Sequence, residues 1–454
     1  MTRHLHGLLG CALIACACTA FAAPPQPAAN PAPAGTRAPA SAASSAIADT
    51  PSLAEIQEFT RAFEMVKQAY VEPVSNKALM QSAIRGMLAG LDPHSEFMDK
   101  SQLQDLSEDT SGTYAGLGIE VAQANHKLVI VTPLDGSPAK RAGIQPGDVI
   151  LAIDGAPVQP DAINASIKKL RGPIGSKITL LIAHANGGKP VKVPLVRERI
   201  RVASVTTRML EPGYAYLRIS EFQEDTANEL TRALEKLQKQ HGPLRGAVLD
   251  LRSNPGGLLT SAVGVADDFL NSGLIVSTRG RLPQSNLKFD ATPGDLLNGA
   301  PMVVLVDNGT ASAAEIVTGA LKDNHRALVM GRRTFGKGSV QTILPLANGD
   351  ALKLTTARYY TPIGTSIQVA GITPGIVLGN VTVDADHAPS IDDDEHEADL
   401  PNHLAGTHAA ISDADAGDLA VKDYALSEAL HVLKGLALAR HDGALPTTAS
   451  SSIR

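Results

Sequence analysis

Cysteine is almost absent from this chain, and the little there is lies in one place. Three cysteines occur among the 454 residues, and all of them, Cys11, Cys16 and Cys18, fall in a short apolar stretch at the N-terminus. A chain that loses this stretch has no disulfide, no thiol nucleophile and no cysteine-bound metal. The histidines form no spaced cluster of the His-Glu-x-x-His type, so we expect neither a metal site nor a cofactor.

Aromatic side chains and excess basic charge are also scarce. Aromatic residues make up 3% of the chain, tryptophan is missing, and the net charge is −6. Nucleic-acid binding relies on basic surfaces that contact phosphates and on rings that stack on bases. We therefore expect no nucleic-acid partner. Hydrophobic residues reach 44%, which is typical of globular cores and, at this length, of two or three domains.

The N-terminus carries the features of an export signal. Arg3 precedes a mostly small and apolar stretch, and a small-x-small cleavage site ends just before Ala23. This pattern predicts a signal peptide over residues 1–22 and a periplasmic or extracellular location for the rest of the chain. The residues up to Cys16 also resemble a bacterial lipoprotein box, so a chain that is lipid-anchored at Cys16 is the alternative.

Two short motifs, 25 positions apart, place a serine and a lysine in settings suited to chemistry. Ser312 opens a helical pattern, and Lys337 lies between two glycines that allow a close approach of the backbone. A serine hydroxyl needs an adjacent acceptor to attack at neutral pH, and a desolvated, neutral lysine is such an acceptor. The alternative is a helix capping box of Ser312 with Glu315, unless Thr310 caps the helix and leaves Ser312 free.

A glycine turn supplies candidate donors for an oxyanion hole. The buried-strand pattern over residues 247–251 is followed by a turn that contains Gly256 and Gly257. Backbone N–H groups in such a turn stabilise a tetrahedral intermediate by about 3 kcal/mol per donor. We predict Gly256, Gly257 and Ala313, the residue after the candidate nucleophile, as the donors. An ordinary turn between a strand and a helix is the alternative.

A histidine base fits the sequence poorly. His325 is the histidine closest to Ser312 in sequence, but a helix that continues from the serine places it roughly 20 Å away. His241 precedes the strand over residues 247–251 and so lies at the end opposite the glycine turn. Both positions argue against a Ser-His-Asp triad.

At three places the residues resemble a known family, the C-terminal processing peptidases, also called tail-specific proteases. The similar stretches are residues 251–257, 310–316 and 334–341, in the order and at the spacing of the family's core motifs. The resemblance implies an α/β fold with a crotonase-like catalytic core, an inserted PDZ domain and an N-terminal helical segment. Strand and helix patterns that alternate from residue 214 onward agree with an α/β core.

The resemblance also implies roles for single residues. Ser312 is the nucleophile, Lys337 the general base and Gln341 the residue that holds the lysine amine. On a strand, positions i and i+4 point to the same face, so Gln341 can reach the Lys337 side chain. The family pattern further implies an acid at Asp323, for which a solvated or helix-ending aspartate is the alternative.

A second module, upstream of these motifs, looks like a PDZ domain. Its signature is the loop Gly116-Leu117-Gly118-Ile119, followed some 30 positions later by Gly-Asp-Val-Ile-Leu-Ala-Ile-Asp-Gly. The N–H groups of such a loop bind the terminal carboxylate of a peptide, and the strand after it accepts the peptide as an added strand. Arg171, near the end of the module, is a candidate regulatory residue that couples tail binding to the active site, unless it faces solvent.

These patterns combine into one domain plan. In chain order it comprises a signal peptide (1–22), a disordered Pro/Ala/Ser-rich linker (23–50), an N-terminal helical segment (51–102), a PDZ domain (103–190), the Ser/Lys protease core (191–380), an acidic loop (381–418) and a C-terminal helix with a tail (419–454).

The sequence thus predicts an exported serine endopeptidase that recognises protein C-termini. Its expected partners are proteins or peptides with accessible C-termini, and a homodimer through the N-terminal helices and an adaptor protein are further candidates. A non-catalytic PDZ scaffold and a crotonase-type acyl-thioester enzyme are the alternatives. A scaffold has no need of Lys337 and Gln341 beside a glycine turn, and an acyl-thioester enzyme has no use for a peptide-tail module.

Overall fold

The structure, a computed structural model, describes residues 50–379, 381 and 419–441. The predicted signal peptide, nearly all of the predicted linker and acidic loop, and the tail after residue 441 lie outside the described residues. The chain divides into two compact units, one up to Pro73 and one from Val74 onward.

The described part of the first unit contains helix α1 (Leu53–Ala69). Ser52 begins it with a capping box, which satisfies N–H groups of the first turn. No residue of α1 is buried. Ile56, Phe59 and Val66 expose about half of their surface each, and their spacing places them on one face of the helix. The helix therefore presents an apolar face.

The second unit begins with two capped helices and a short strand. These are α2 (Asn76–Ala89), β1 (Glu96–Met98) and α3 (Lys100–Ser111). Asp99 caps α3 in a capping box, and Gly112 ends it in the left-handed conformation at a φ of 66°. Glycine is the residue that adopts this helix-ending conformation most readily.

A six-stranded antiparallel sheet forms the region that the sequence predicts as a PDZ domain. The chain enters and leaves it through a two-stranded ribbon of β2 (Thr113–Gly116) and β9 (Glu198–Arg201). The sheet and its helices comprise β3 (Ile119–Ala124), β4 (Lys127–Pro133), α4 (Pro138–Arg141), β5 (Val149–Ile153), β6 (Ala156–Pro157), α5 (Ile163–Leu170), β7 (Lys177–Ala183) and β8 (Val191–Val196). Ile178, Leu180 and Ile182 alternate along β7 and enter one core.

The larger sheet of the second unit is mostly parallel. In spatial order its strands are β10 (Val205–Glu211), β11 (Tyr214–Ile219), β12 (Gly246–Asp250), β15 (Met302–Val306), β16 (Leu328–Gly331) and β19 (Ile376–Val377). Within this sheet only β10 runs antiparallel to its neighbour. The helices that pack on it are α6 (Thr226–His241), α7 (Leu259–Asp267), α8 (Ala313–Asp323) and α9 (Tyr424–His441).

Helices cover both faces of this sheet. Leu249 and Val304 enter the core shared with α6, α7 and α8. Their neighbours Val248 and Val303 enter a separate core with Leu430 of α9, because successive residues of a strand point to opposite faces. Every residue of β12 and β15 is therefore buried.

A second, antiparallel sheet lies in the same unit. It contains β13 (Leu274–Gly280), β14 (Lys288–Asp290), β17 (Ser339–Pro345), β18 (Ala351–Tyr360) and the early strand β1. The ten-residue strand β18 pairs with β17 along one side and with β1 and β13 along the other. The short strand β1 is thus part of the sheet that carries the lysine motif.

The parallel sheet determines where the predicted motifs meet. The carboxyl ends of parallel strands lie at the same edge of a sheet, which is where such folds place their sites. The turn after β12 contains Gly256 and Gly257, and the turn after β15 leads to Ser312. The fold therefore brings the glycine turn and the serine to one edge.

Asp268, at the end of α7, offers a test of stability against pH. Burial raises its pKa to about 7. A hydrogen bond from Thr231 opposes this rise, and the charge of Asp267 adds to it. An unfolded aspartate has a pKa near 3.9. The folded state therefore keeps a proton that the unfolded state releases, and the free energy of unfolding falls as the pH rises from roughly 4 to 7.

We expect Asp268→Asn to raise the free energy of unfolding by about 2 kcal/mol at pH 8 and to change it little at pH 4. Urea denaturation of both proteins at the two pH values measures the difference. The same difference at both pH values would contradict the assignment of the raised pKa to Asp268.

Candidate active site

Ser312 occupies a sharp turn between β15 and α8. Its φ of 53° lies in the left-handed region, which costs a residue with a side chain about 1–3 kcal/mol and is found where the surroundings fix a functional group. Only 7% of the residue is exposed. The N–H groups at the start of α8 make this position favourable for developing negative charge.

The structure decides between the two capping alternatives. Ser312 is the N-cap residue of α8, and the Glu315 carboxylate accepts its backbone N–H at 2.8 Å. The hydroxyl of Thr310 instead donates to the carbonyl oxygen of Leu251 at 2.8 Å and accepts the N–H of Asp307 at 2.9 Å. Thr310 therefore joins the serine turn to the strand end that precedes the glycine turn.

The glycine turn packs directly against Ser312. A Cβ on Gly256 would lie 2.7 Å from the Cβ of Ser312 and 3.0 Å from the nitrogen of Ala313, so only glycine allows this approach. The N–H of Gly256 is already used, because it donates to Oδ1 of Asn254 at 2.9 Å. The Gly256 N–H is therefore not available to an oxyanion, in contrast to the prediction. Among the described residues no acceptor holds the N–H of Gly257 or of Ala313, so both stay candidate donors.

Two polar side chains outside the predicted set hold the glycine turn. Asn254 is fully buried, and its amide donates to the carbonyl oxygen of Ile219 at 2.9 Å. Asp307 accepts the N–H of Ser253 at 2.8 Å and of Gly309 at 2.9 Å. Burial alone would raise the pKa of Asp307, but the hydrogen bonds outweigh it and lower the pKa. For Asp307 the sequence offers a signal, a polar residue directly after the buried apolar strand β15.

Lys337 lies in a loop whose glycines permit tight packing. A Cβ on Gly338 would lie 2.2 Å from the backbone nitrogen of Gln368, so a larger residue would displace the loop. Burial lowers the pKa of the Lys337 ammonium, and the charge of Lys353 lowers it further. Both effects favour the neutral amine, which is the form that a general base requires.

Glu315 joins the serine and lysine motifs. It is fully buried, and its Oε2 accepts the N–H of Ser312 at 2.8 Å and of Lys337 at 2.9 Å. The two backbone nitrogens therefore lie within about 6 Å of each other. Oε1 accepts the N–H of Gly336 at 2.7 Å and the hydroxyl of Thr334. Burial raises the pKa of Glu315, and these four donors oppose the rise.

Gln341 lies on β17 and is not bonded to the lysine. Its amide nitrogen donates to the hydroxyls of Ser339 at 2.9 Å and Thr355 at 3.3 Å. No hydrogen bond to Lys337 is present in the part of the chain that the structure describes. Lys337 precedes β17, so the i and i+4 relation of a strand does not apply to it.

Asp323 lies at the far end of α8 from the serine. The helix has eleven residues, which corresponds to about 16 Å. The carboxylate of Asp323 accepts the N–H of Ile363 at 3.4 Å. The structure does not bring Asp323 together with Ser312, and the length of the helix between them is the reason. His325 follows the same helix end.

The predicted carboxylate-binding loop over residues 116–119 leads into β3, the edge strand of its sheet. Gly118 has a φ of 68°, and Leu117 is 1% exposed. This loop, together with Ile167 and Leu170 of α5, lines a cavity of about 120 Å³. The apolar lining suits a small aliphatic side chain, and the free edge of β3 suits an added peptide strand.

Arg171 ends α5 and contacts α3. Its guanidinium donates to Glu108 at 3.3 Å, lies 3.9 Å from Asp105 and stacks 5.3 Å from the centre of the Tyr114 ring. Tyr114 lies against Gly116, where a Cβ would be 2.6 Å from the ring. Arg171 thus links the loop over residues 116–119 to α3.

None of the described helices is both long and apolar enough to cross a membrane. The residues described also hold no group of three or more His, Cys, Asp or Glu side chains placed to share a metal ion.

Comparison with known proteins identifies the class. The profile of Peptidase family S41 matches residues 213–378, and that of a PDZ domain matches residues 129–183. A third profile, of the N-terminal domain of the activating protease CtpB, matches residues 15–102. Together they define a serine protease with a PDZ domain.

Two curated relatives cover most of the chain. A carboxy-terminal-processing protease of Bartonella bacilliformis is 43% identical over 389 residues, which are 84% of this chain and 88% of the relative. A carboxyl-terminal-processing protease of Synechocystis is 36% identical over 74% of this chain and 80% of the relative. This chain belongs to the carboxy-terminal-processing proteases, as its motifs predict.

A solved photosystem II D1 C-terminal processing protease is 32% identical, and the match covers 70% of this chain and 92% of that one, with a TM-score of 0.43.

Replacement of Glu315 tests its role as the link between the two motifs. Glu315→Gln keeps the size of the side chain but turns an amide N–H2 toward backbone N–H groups. We expect the serine turn and the lysine loop to separate, and kcat/KM on an unstructured protein to fall about 100-fold.

The matched control is Asp295→Asn. Asp295 is another buried carboxylate with several donors, among them Leu297, Gly299 and Arg326, at the opposite edge of the parallel sheet. It should lower the melting temperature and leave kcat/KM within about twofold of wild type. Equal losses of kcat/KM in the two variants would reject a specific role for Glu315.

Proposed function

We propose that Ser312 is the nucleophile and Lys337 the general base of an endopeptidase that processes protein C-termini. One observation carries the proposal. A single oxygen of Glu315 accepts the backbone N–H of both residues, so the serine turn and the lysine loop lie next to each other. The lowered pKa of Lys337 agrees with a base that works as the neutral amine.

The reaction then has two halves. Lys337 takes the hydroxyl proton of Ser312 while Oγ attacks the scissile carbonyl carbon, and the N–H groups of Gly257 and Ala313 receive the oxyanion. The lysine ammonium gives its proton to the leaving amine, and an acyl-serine forms. Water attacks the acyl group with Lys337 again as the base, which releases the second product and restores Ser312.

We also propose that the catalytic core is crotonase-like. Its parallel strands alternate with α6, α7 and α8, and a second sheet lies beside them; a different strand order in an experimental structure would reject this. The crotonase-type acyl-thioester enzyme and the non-catalytic scaffold both disagree with relatives that are carboxy-terminal-processing proteases.

The region predicted as a PDZ domain is proposed to select the substrate by its free C-terminus. Proteins or peptides are the substrate class of a protease with this domain. The terminal carboxylate would meet the loop over residues 116–119, and the last side chain would enter the small apolar cavity beside Leu170. Arg171 lines the same cavity and pairs with Glu108, so a bound carboxylate would compete for its guanidinium.

We also propose a location and an assembly for the protein. The sequence pattern supports export, to the periplasm or outside the cell, with lipid attachment at Cys16 as the alternative; fractionation and the mass of the mature N-terminus decide between them. The exposed apolar face of α1 supports a homodimer through N-terminal helices, which light scattering on the full chain measures. An adaptor protein remains a candidate that a pull-down with the Ser312→Ala protein would test.

Two substitutions test the dyad. Ser312→Ala removes the nucleophile, and Lys337→Arg keeps a charge that no working pH neutralises. We expect each to slow hydrolysis of an unstructured protein by at least about 100-fold, since a positioned base contributes about 100- to 10,000-fold. Wild-type activity should rise with pH through the pKa of Lys337, which lies below its usual value. A Lys337→Arg protein that folds and keeps more than about one hundredth of the rate would reject the base.

Three substrates test tail recognition. One unstructured protein is given an apolar free tail, the same tail amidated, and a charged tail, and kcat/KM is measured for each. Amidation replaces an anion by a neutral group and weakens hydrogen bonds worth about 1.5–3 kcal/mol each. We expect the free apolar tail to be preferred at least about tenfold over both others. Equal rates would leave the dyad standing and remove the tail specificity.

The same assay tests the regulatory role of Arg171. If Arg171 transmits tail binding, Arg171→Ala should lose the difference between free and amidated tails. Lys169→Ala, which removes an exposed basic residue of the same helix, is the control and should keep that difference. An Arg171→Ala protein that matches wild type on both tails would reject the coupling.

A further inference from the structure

The turn between α2 and β1 carries a polar cluster that the dyad chemistry does not use. Asp92 accepts the N–H groups of His94 at 2.8 Å and Ser95 at 3.1 Å, and the hydroxyl of Ser95 at 2.7 Å. Burial alone would raise the pKa of Asp92, but these hydrogen bonds outweigh it and lower the pKa. The side chain is therefore an anion at neutral pH, and an anionic carboxylate can only accept hydrogen bonds.

This turn is bonded to β18, directly across from the lysine motif. The carboxylate of Asp92 accepts the hydroxyl of Thr355 at 3.1 Å, and the hydroxyl of Ser95 accepts the N–H of Thr355 at 3.1 Å. Thr355 is paired with Gln341 in the β17–β18 ladder. The amide nitrogen of Gln341 donates to Thr355 at 3.3 Å and to Ser339 at 2.9 Å.

Asp92, Thr355 and Gln341 form a hydrogen-bonded relay. The direction of each hydrogen bond in this relay follows from the charge of Asp92. Because the carboxylate only accepts, the single hydroxyl proton of Thr355 points to it, and the Thr355 oxygen is left to accept. This turns the N–H2 of Gln341 toward Thr355. The carbonyl oxygen of Gln341, for which the described residues supply no donor, then remains as an acceptor, and an acceptor is what an amine or ammonium needs.

The same turn lies close to the lysine. Burial lowers the pKa of His94, and the charge of Lys337 lowers it further. The charge of Asp92 raises the pKa of His94 and only partly offsets this. Lys353 lowers the pKa of both His94 and Lys337. Lys353 on β18 and His94 on the turn interact electrostatically with the Lys337 side chain, and Asp92 interacts with His94. Glu315 on α8 accepts the backbone N–H of Lys337.

We infer that Asp92 and Thr355 are positioning residues for Lys337 and act through Gln341. Asp92 orients the hydroxyl of Thr355, and Thr355 orients the amide of Gln341. The carbonyl oxygen of Gln341 then accepts a hydrogen bond from the Lys337 amine when the site assembles around a substrate. The inference rests on the proposed dyad, and it gives the turn before β1 a part in catalysis.

A pair of neighbouring threonines on β18 provides the test. Thr355→Val removes the hydroxyl of the relay. Thr356→Val, the matched control, removes a hydroxyl that is bonded to Thr342 at 2.7 Å on the other face of the strand. Thr355→Ser restores the hydroxyl.

We expect Thr355→Val to lower kcat about 10- to 100-fold with little change in KM, because the base is misplaced while the substrate site is intact. Thr355→Ser and Thr356→Val should keep kcat close to wild type. A loss of kcat in Thr356→Val equal to that in Thr355→Val would overturn the inference.

A second measurement does not depend on hydrolysis. In the Ser312→Ala background, with an unstructured protein bound at saturation and not cleaved, the pKa of Lys337 is read from its rate of acetylation by acetic anhydride across pH, followed by peptide mass spectrometry. Thr355→Val should lower this pKa, because the ammonium loses an acceptor that stabilises it. Thr356→Val should leave it unchanged.

The two measurements separate the inference from the proposed function. If Thr355→Val shifts the Lys337 pKa but the wild-type protein hydrolyses no substrate, the relay is supported and the proposed Ser312/Lys337 dyad is rejected. An active wild-type protein in which Thr355→Val leaves both kcat and the Lys337 pKa unchanged would overturn the relay and keep the dyad.

Discussion

A carboxylate that is taken out of water is costly unless hydrogen-bond donors surround it, and at this site four donors surround Glu315. One comes from the serine turn and three from the loop that ends at Lys337. If either segment moved away, a buried anion would lose its partners, so the desolvation of Glu315 holds both in place. The active-site geometry depends on this constraint, because it brings residues 25 positions apart in sequence within about 6 Å.

Two other carboxylates, Asp307 and Asp250, fix the surrounding turns in the same way. Asp307, at the end of β15, joins the serine turn to the glycine turn. Asp250, at the end of β12, is 1% exposed and accepts from Arg252, whose guanidinium also binds Asp423 just before α9. The C-terminal helix is thereby attached to the strand end that precedes the glycine turn. Each of these carboxylates is satisfied only when two separate segments are in register.

The stretch from Asp92 to Ser111, which contains β1 and α3, belongs to the same arrangement. The turn before β1 is bonded to β18 through Asp92 and Thr355, and α3 is paired with the end of α5 through Glu108 and Arg171. One continuous segment therefore contacts both β18 and the end of α5. The pairing of β1 with β18 joins residues more than 250 positions apart. No local sequence pattern predicts this contact.

Features set by local chemistry could be predicted from the sequence alone. The strand and helix alternation, the glycine turn, and the placement of Ser312 at a helix start and Lys337 between glycines each depend on neighbouring residues. They also carried the family resemblance. Only the tertiary structure could decide the partners of Gln341, the use of the Gly256 N–H by Asn254, and the bridging role of Glu315. A single bulge changes the face on which a side chain lies, and a hydrogen bond forms only within a few tenths of an ångström of its preferred length, so these pairings follow from how distant segments pack and not from the order of residues.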